Sequence, residues 1–357
     1  MTAPPLVWIE DLDPAHAGAV AGSKLSRLAD LTRAGLTVPK GFAVTTAAYL
    51  DFCRSAGVGE RIARHLEAVK DPGDSTGGES AAAAIRAVFE EAPMSEGLAG
   101  AIADAYGELC YRCVDLNIPT AVRSSATGED SVVASCAGQY DTVLGVSGAE
   151  GVLAAVRRCW GSLFSARALL YRLARGLSHR DSPMAVGVLE LVHARASGVA
   201  FSIHPVTGKR DRMVIEGSWG WGEAVVQGLV NPDHVEVGKT DRRILRHDVA
   251  DKAMVSVFDY ARGTVVEMEM PERFRRRPAL DAEEIGGIVE AVLRIEELYG
   301  HPVDVEWVID KHRRPGEPVT IVQTRPETVH ATSDDAPKTP GWDPAAYAAR
   351  YAFGHQG

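Results

Sequence analysis

Several kinds of residue are scarce in this sequence of 357 residues, and each scarcity excludes a class of protein. Basic residues are outnumbered, with 38 lysines and arginines against 48 acidic residues and a formal net charge of -10. Their longest run is Arg275-Arg276-Arg277, so we expect no nucleic acid partner. No apolar run approaches the roughly 18 residues of a membrane-spanning helix, and no signal pattern opens the chain. The expectation is a soluble, cytoplasmic protein with no membrane partner.

Cysteine is also rare. The five cysteines are an odd number, which favours a reducing compartment over a disulfide framework. Cys110 and Cys113 form a C-x-x-C pair, but no second Cys or His pair follows at a spacing typical of zinc sites. The flanking residues have helical periodicity, so the pattern favours a place in a helix over a metal or redox role.

The common catalytic and nucleotide-binding motifs are missing too. GKT at 238–240 and TGK at 207–209 look like parts of a P-loop, but Asp233 and Ile203 stand where its first glycine belongs. The chain has no GxGxxG after a predicted strand, no GxSxG and no HExxH. A P-loop NTPase, a dinucleotide-binding fold, a serine hydrolase of the elbow type and a zinc protease are therefore not indicated.

What is present indicates an α+β protein of two or three packing units. The first half is helix-rich, with Thr46 as a helix cap and residues 71–80 as a flexible link. Residues 22–34 are predicted as a loop that enters a helix, and further predicted helices cover 47–56, 80–91, 95–116, 149–175 and 281–299. Predicted strands cover 41–45, the segment into Arg123, 140–146, 184–192, 198–203, 213–217, 233–237, 303–309 and 318–325. We expect a first lobe over 1–180, a second over 181–330, and a tail over 331–357.

The last two predicted strands carry a polar pattern. Because side chains alternate along a strand, Asp304 and Glu306 share one face of the first, and Gln323 and Arg325 share one face of the second. A hairpin with Ile321 opposite Val308 would place Glu306 opposite Gln323 and Asp304 opposite Arg325. Oxygen ligands beside a cation suit a magnesium–phosphate site. A solvated face with a cross-strand ion pair is the alternative.

Candidate phosphate-binding groups lie in the first half. Lys24 precedes a helix, and Arg123 ends a strand where a guanidinium fork could grip phosphate oxygens. The small-residue loop over 124–139 could donate backbone N–H groups to a polyphosphate, as could the glycine-rich loop 217–228. A solvated lysine, a structural salt bridge, a surface loop and simple packing of the loop tryptophans are the alternatives.

Taken together, six stretches resemble one family. AGSKLSRLADLTRAGLTVPKGFAVTTAAY, AVRSSATGEDSVVASCAGQYDT, ASGVAFSIHPVTG, IEGSWGWGEAVVQGLVNPD, DVEWVID and IVQTRPET occur in the order seen in the nucleotide-binding part of phosphoenolpyruvate synthase and pyruvate phosphate dikinase. The resemblance extends from about residue 16 to 330. It implies a two-lobed ATP-grasp-type fold with ATP and Mg²⁺ between the lobes.

The resemblance also implies roles for individual residues. Lys24 and Arg123 would hold the phosphates, Arg325 would contact the terminal phosphates, and these three would be the catalytic cations. Glu306 and Gln323 would carry Mg²⁺. The further nucleotide contacts it implies are Gly138 and Gln139 in a covering loop, Glu216 near the ribose or metal, and the backbone of Leu189, Glu190 and Leu191 at adenine.

The chain departs from the family at four positions. Ser23 and Leu25 stand where glycines usually flank the lysine, so that turn is expected to sit differently. His204 replaces an aspartate of the DPVTG-like stretch, and Leu189 replaces a common glutamine. Whether Ser23, Leu25 and His204 weaken catalysis is left open by the sequence.

The family's GGxxxH-like stretch, whose histidine carries phosphate to the acceptor, is absent from the sequence. The expectation is therefore an ATP-binding subunit that converts ATP to AMP and phosphate and phosphorylates a histidine on a separate partner subunit. Among relatives the chain looks most like the short subunit of phenylphosphate synthase, with phenol as acceptor. The alternatives are the ATP-binding part of a phosphoenolpyruvate synthase or antibiotic phosphotransferase-like enzyme, and a regulatory nucleotide-binding subunit without catalysis.

Overall fold

The structure is a computed structural model that describes residues 4–67, 69, 71, 73–127, 140–174, 183–222, 230–259, 262 and 264–327. Its contacts divide the chain into two compact units. The first comprises Met1–Ala29 and Lys40–Leu191, and the second comprises Asp30–Pro39 and Val192–Gly357. Each unit has its own antiparallel sheet, which agrees with the expected mixture of helices and strands.

The first unit has a five-stranded sheet in the order β1-β2-β5-β3-β4. Its strands are β1 (Leu6–Trp8), β2 (Gly41–Val44), β3 (Thr120–Ala126), β4 (Thr142–Val146) and β5 (Met184–Glu190). A 3-10 turn (Ile9–Asp11) is followed by α1 (Ala17–Arg33), whose residues from Asp30 belong to the second unit, and by α2 (Thr46–Ser55), α3 (Val58–Leu66), α4 (Ser75–Glu91), α5 (Glu96–Arg112), α6 (Ala149–Ser162) and α7 (Ala166–Ala174).

An aromatic cluster joins three of these helices. Phe52 of α2 lies 4.9 Å from Trp160 of α6 and 6.1 Å from Phe89 of α4, measured between ring centroids. All three side chains are fully buried. Since burial of a large apolar side chain contributes about 1.5–3 kcal/mol, this cluster holds α2, α4 and α6 together.

The second unit has a six-stranded sheet in the order β13-β12-β6-β7-β8-β9 and a separate hairpin, β10-β11. Its elements are β6 (Ala194–Phe201), β7 (Arg212–Trp219), β8 (Asp233–Gly238), β9 (Ile244–Asp248), β10 (Met254–Asp259), β11 (Thr264–Glu269), α8 (Glu272–Arg275), α9 (Ala282–Tyr299), β12 (Val303–Asp310) and β13 (Thr320–Pro326). None of the helices within the described ranges is long and apolar enough to cross a membrane.

One helix, α9, covers one face of this second sheet. It begins with a capping box between Asp281 and Glu284 and ends at Gly300, whose φ of 69° suits glycine, as the sequence predicted. The helix packs against β12 and β6, and Trp307 of β12 is fully buried. The alternate residues of the same strands therefore lie on the opposite face.

Several predicted boundaries in the first unit are corrected. Thr45, not Thr46, caps α2, since its side chain accepts the N–H of Ala48. The stretch predicted as a flexible link contains the start of α4, because Asp74 caps that helix by accepting the N–H of Gly77. The helix predicted over 149–175 is two helices, α6 and α7, and α5 ends at Arg112 instead of 116.

The change from one unit to the other also lies elsewhere than the sequence placed it. We expected the second lobe to begin at residue 181, whereas the second unit resumes at Val192. The reason is β5, which pairs with β2 on one side and β3 on the other and so belongs to the first sheet.

Four strands, β1, β9, β10 and β11, were missed by the sequence analysis. Their residues are largely exposed or half-buried, and β9 forms the edge of the large sheet. Without a buried face they lack the alternation of apolar and polar residues on which strand prediction depends.

A fully buried ion pair holds the start of β8. Lys252, with no exposed side-chain surface, donates from Nζ to Oδ1 of Asp233. The Asp233 carboxylate also accepts the N–H groups of Ala250 at 2.9 Å and Ala279 at 2.7 Å. One aspartate thus connects β8 to the segment after β9 and to the residues before α9.

Replacing Lys252 should therefore destabilise the second unit. Lys252→Met leaves the Asp233 carboxylate buried without its cation, and loss of one partner of a buried pair typically costs about 3–5 kcal/mol. Urea unfolding should show a loss of this size, whereas Lys209→Met, at an exposed lysine, should change the free energy of unfolding little. Equal midpoints for the two variants would contradict the assigned role of the pair.

Candidate functional site

A row of polar side chains crosses the second sheet on the face opposite α9. Glu306 of β12 lies opposite Gln323 of β13 on one side and opposite Val199 of β6 on the other. Val199 lies opposite Glu216 of β7, which lies opposite His234 of β8. Paired residues share a face, so Gln323, Glu306 and Glu216 are brought to one surface, with a single strand between the two glutamates.

The neighbouring row contains the ion pair that the sequence predicted. Asp304 is only 2% exposed, and its Oδ2 accepts from Nε of Arg325 at 2.7 Å. Nη2 of Arg325 lies 4.0 Å from Oε1 of Glu306, so the guanidinium contacts both carboxylates. Burial raises the pKa of the Asp304 carboxyl, and the charge of Arg325 partly offsets that rise.

The predicted register is correct at the polar pairs and wrong further along. Glu306 lies opposite Gln323 and Asp304 opposite Arg325, but Ile321 lies opposite Trp307 instead of Val308. A β-bulge between Glu306 and Trp307 shifts the pairing by one residue. The sequence could not reveal the bulge, because an extra residue in one strand leaves no signature in simple alternation.

The donor set on this face fits a hard divalent cation that also binds phosphate oxygens. Oδ1 of Asp304 is buried and has no hydrogen-bond partner, and it lies in the row beside Glu306 and Gln323. Within the described ranges no three His, Cys, Asp or Glu side chains form a complete metal cage. Mg²⁺ suits such a site, since it takes one or two carboxylates and completes its shell with water and substrate phosphates.

Glu216 is held by a histidine that the sequence analysis missed. Oε1 of Glu216 lies 3.1 Å from Nδ1 of His234, and both side chains are buried. Burial raises the pKa of the Glu216 carboxyl, and the contact with His234 partly offsets this. The signal was available: the two predicted strands 213–217 and 233–237, paired as antiparallel neighbours, place residue 216 opposite residue 234.

His204, which the sequence analysis expected to replace an aspartate, stabilises a turn. Its Nδ1 accepts the backbone N–H groups of Val206 at 3.2 Å and Thr207 at 3.3 Å. An aspartate carboxylate makes the same kind of turn contact. Burial lowers the pKa of His204 and keeps the ring neutral, as an acceptor must be.

In the first unit, Lys24 and Arg123 lie near the same buried thiol. Cys159 of α6 is fully buried, and burial raises the pKa of its thiol to about 12, with a further rise from Asp141. The charges of Lys24 and Arg123 both oppose that rise, so both cations lie within electrostatic reach of one point. Both cations that the sequence proposed for phosphate therefore belong to the first unit.

The segment predicted to meet adenine lies on the same sheet. Arg123 pairs with Gly187 and Ala121 with Leu189, so Leu189 and Arg123 share a face of the first sheet. The N–H of Glu190 donates to the carbonyl of Lys40 at 2.8 Å, and that of Leu191 to the carbonyl of Pro119 at 2.9 Å. These two N–H groups are engaged within the unit, so an adenine ring would have to displace them or use other groups of the segment.

Two predicted contacts, Gly138 and Gln139, lie outside the described residues, as do residues 223–228 of the second glycine-rich loop. The first residues of that loop, Gly217 to Trp219, are the end of β7. The C-x-x-C pair has the helical place that the sequence favoured: Cys110 is in α5, and Cys113 caps its C-terminal end.

The second unit has carboxylates, an amide and an arginine on one face of its sheet, and the first unit has Lys24 and Arg123. These are the groups expected of a protein that binds Mg²⁺ and polyphosphate. The family model "Pyruvate phosphate dikinase, AMP/ATP-binding domain" matches residues 18–341. The chain belongs to this family and is an ATP-binding domain of the phosphoenolpyruvate synthase and pyruvate phosphate dikinase type.

Curated relatives agree with that assignment. The chain is 38% identical to "Probable phosphoenolpyruvate synthase" of Methanothermobacter thermautotrophicus over 92% of its own length and 48% of the relative's. It is 36% identical to "Phosphoenolpyruvate synthase" of Escherichia coli over 92% of its length and 43% of the relative's. It is 37% identical to "Rifampicin phosphotransferase" of a Streptomyces species over 90% of its length and 36% of the relative's.

The chain thus spans about half or less of the length of these relatives. The family prediction is confirmed at the level of the ATP-binding domain. The closer resemblance to phenylphosphate synthase stays a prediction.

The Asp304–Arg325 pair should be detectable through a double-mutant cycle. Arg325→Met leaves a buried carboxylate without its nearest cation and should lower the free energy of unfolding by about 3 kcal/mol. Adding Asp304→Asn removes the stranded charge and should restore most of that loss. Urea unfolding of Arg325→Met, Asp304→Asn and the double variant, with the exposed Arg314→Met as control, provides the measurement; additive losses would contradict the pairing.

His204 should add a pH dependence to the stability of the second unit. Its folded-state pKa lies below its ordinary value of 6.5, so the unfolded chain binds the proton more readily. The stability contributed by the neutral ring is present above pH 6.5 and is lost as the pH falls toward the lowered folded-state pKa. The free energy of unfolding of His204→Asn, whose amide oxygen accepts hydrogen bonds without titrating, should decline less over this pH window than that of the original chain. Superimposable curves of unfolding free energy against pH for the two proteins would refute the assignment.

Proposed function

We propose that this chain binds ATP with Mg²⁺ and prepares it for phosphoryl transfer to a histidine, as the ATP-binding part of a phosphoenolpyruvate synthase-like or rifampicin phosphotransferase-like enzyme. The observation that carries the proposal is the register of β12 and β13, which sets Glu306 beside Gln323 and Asp304 beside Arg325 on one face. These are the positions at which the family resemblance implies metal and phosphate binding.

The protein's own residues would act by positioning and by neutralising charge. Lys24 and Arg123 of the first unit would hold phosphate oxygens of ATP, and Arg325 of the second unit would likewise bind phosphate. Asp304 aims the guanidinium of Arg325 through the 2.7 Å bond, so the arginine is oriented before ATP arrives. Glu216, held by His234, would approach the nucleotide from β7, with β6 between it and Glu306.

Glu306 and Gln323 would hold Mg²⁺, with the free oxygen of Asp304 as a further donor. When bound, the metal supplies positive charge that neutralises and orients the triphosphate oxygens.

The proposed chemistry transfers phosphate outside this chain. The accepting histidine nitrogen would form a bond to the β-phosphorus while the bond to the α-phosphate oxygen breaks and AMP leaves. Water would then cleave off the γ-phosphate, so that the β-phosphoryl group stays on the histidine. We propose that a separate subunit supplies this histidine; transfer onward to phenol, as in phenylphosphate synthase, is one form of the same proposal.

A regulatory role without catalysis is a weaker candidate. It would predict that the metal-binding groups are dispensable, whereas the row of Gln323, Glu306 and Glu216 is intact and in register.

The proposal predicts that nucleotide binding depends on Glu306. Glu306→Ala should weaken ATP binding in the presence of Mg²⁺ at least about tenfold, the loss typical for groups that support a metal site. Isothermal titration of the chain with ATP, with and without Mg²⁺, provides the measurement. Glu317→Ala, at an exposed glutamate in the β12–β13 turn, is the matched control and should bind ATP as the original chain does.

The same preparation, supplied with a histidine-bearing partner, should form AMP and phosphate. A wild-type chain that binds no ATP, or a Glu306→Ala variant whose ATP affinity with Mg²⁺ equals that of the wild-type chain, would contradict the proposed site. ADP as the sole nucleotide product would contradict the dikinase chemistry and leave the ATP site standing.

A further inference from the structure

Lys24 lies in the turn of α1 that directly follows Gly22, and this lysine turn packs against the end of β3. At Gly22 the helix α1 is interrupted, with φ at 73° and ψ at 173°. A Cβ at this position would lie 2.0 Å from the carbonyl oxygen of Ser125 and 2.5 Å from its Oγ. No side chain fits in that space, so only glycine permits this approach of the two backbones.

Two hydrogen bonds tie the turn to the strand on either side of the lysine. The N–H of Leu25 donates to Oγ of Ser125 at 3.3 Å. The hydroxyl of Ser23 donates to the carbonyl of Ala126, also at 3.3 Å. Lys24 is therefore flanked on both sides by residues fastened to β3.

The side chain of Leu25 adds a packing contact. It is fully buried, and a Cβ at Gly187 would lie 2.6 Å from its Cδ2, so Leu25 fills the space above that glycine. Gly187 pairs with Arg123 across β5 and β3. The leucine thus lies beside the position from which Arg123 projects.

We propose that Ser125, together with Ser23, is a positioning residue that fixes the lysine turn to β3 so that Lys24 and Arg123 grip one polyphosphate. Ser125 and Arg123 are two residues apart in one strand and share its face. The Ser125 hydroxyl therefore fixes the position of the Lys24 backbone relative to Arg123. This inference rests on the proposed function, because it assigns both cations to the same ATP.

The physical gain is preorganisation. A lysine on a free turn would lose more conformational freedom when it closes on phosphate, and that loss would weaken ATP binding. Here the backbone on both sides of Lys24 is already bonded, and only its side chain has to order. Ser23 and Leu25, the two residues at which the chain departs from the flanking glycines of its family, are the ones that make these contacts.

The chain provides a matched pair of serines for the test. Ser125→Ala removes the acceptor of the Leu25 N–H, whereas Ser124→Ala removes a buried hydroxyl that has no hydrogen-bond partner. Ser125→Cys keeps the volume but offers a weak acceptor. Dissociation constants for ATP with Mg²⁺ and for adenosine, measured by isothermal titration, distinguish phosphate binding from base binding.

Ser125→Ala and Ser125→Cys should each weaken ATP binding about three- to tenfold, the range expected for one hydrogen bond. Adenosine binding should be unchanged. Ser124→Ala should leave the ATP affinity within about twofold of the original, a difference below that of one hydrogen bond. Urea unfolding of the serine variants shows that a loss of ATP affinity does not come from unfolded protein.

A double-mutant cycle with Lys24→Met shows whether Ser125 acts through the lysine. If it does, Ser125→Ala should cost little further ATP affinity once Lys24 is gone. Full additivity, equal weakening of adenosine binding, or equal behaviour of Ser125→Ala and Ser124→Ala would each overturn the inference. A wild-type chain that binds no ATP, or a Lys24→Met variant that binds it normally, would instead overturn the proposed function and the inference with it.

Discussion

A buried carboxylate is costly unless a positive charge lies beside it. Asp304 is such a carboxylate, and the polar face of the second unit is arranged around it. Its partner Arg325 can reach it because β12 and β13 pair in the register that sets the two residues opposite each other. The same register brings Gln323 to Glu306. A shift of one residue before the bulge would turn these groups to the α9 face, where no water or ligand could reach them.

The rest of the second unit supports this face from behind and from the side. Trp307 fills the α9 side, and its ring lies so close to Gly198 and Gly217 that a Cβ at either glycine would come within 3 Å of it. The two glycines on β6 and β7 therefore leave the space that the tryptophan ring occupies. Asp233 and Lys252 anchor β8 at its start, and this fixes His234 opposite Glu216.

Much of this could be predicted from the sequence because it follows from alternation. Period two along VDVEWVID and TIVQTRP was enough to place Asp304, Glu306, Gln323 and Arg325 on one surface. The helix before them was predicted over 281–299, close to its observed bounds. What escaped prediction depends on contacts between residues distant in the chain. The bulge at Trp307, the membership of β5 in the first sheet, and the exposed strands β9 to β11 leave no local pattern. The same holds for the His234 contact with Glu216 and the turn role of His204, since lone histidines carry no motif.

The contact between Gly22 and Ser125 has a consequence for how the sequence can change over time. A residue with a Cβ at position 22 would have to push the end of β3 away. The choice of residue at position 22 and the choice at position 125 therefore constrain each other. Positions 23 and 25 can accept more kinds of residue, but their hydrogen bonds depend on β3. The present bonds form only while β3 has a hydroxyl at position 125 and a carbonyl in reach at position 126. The stretches around residues 22–25 and 125–126 are about a hundred residues apart in the chain. Across homologous sequences we expect correlated replacements between them, which inspection of either stretch alone would not explain.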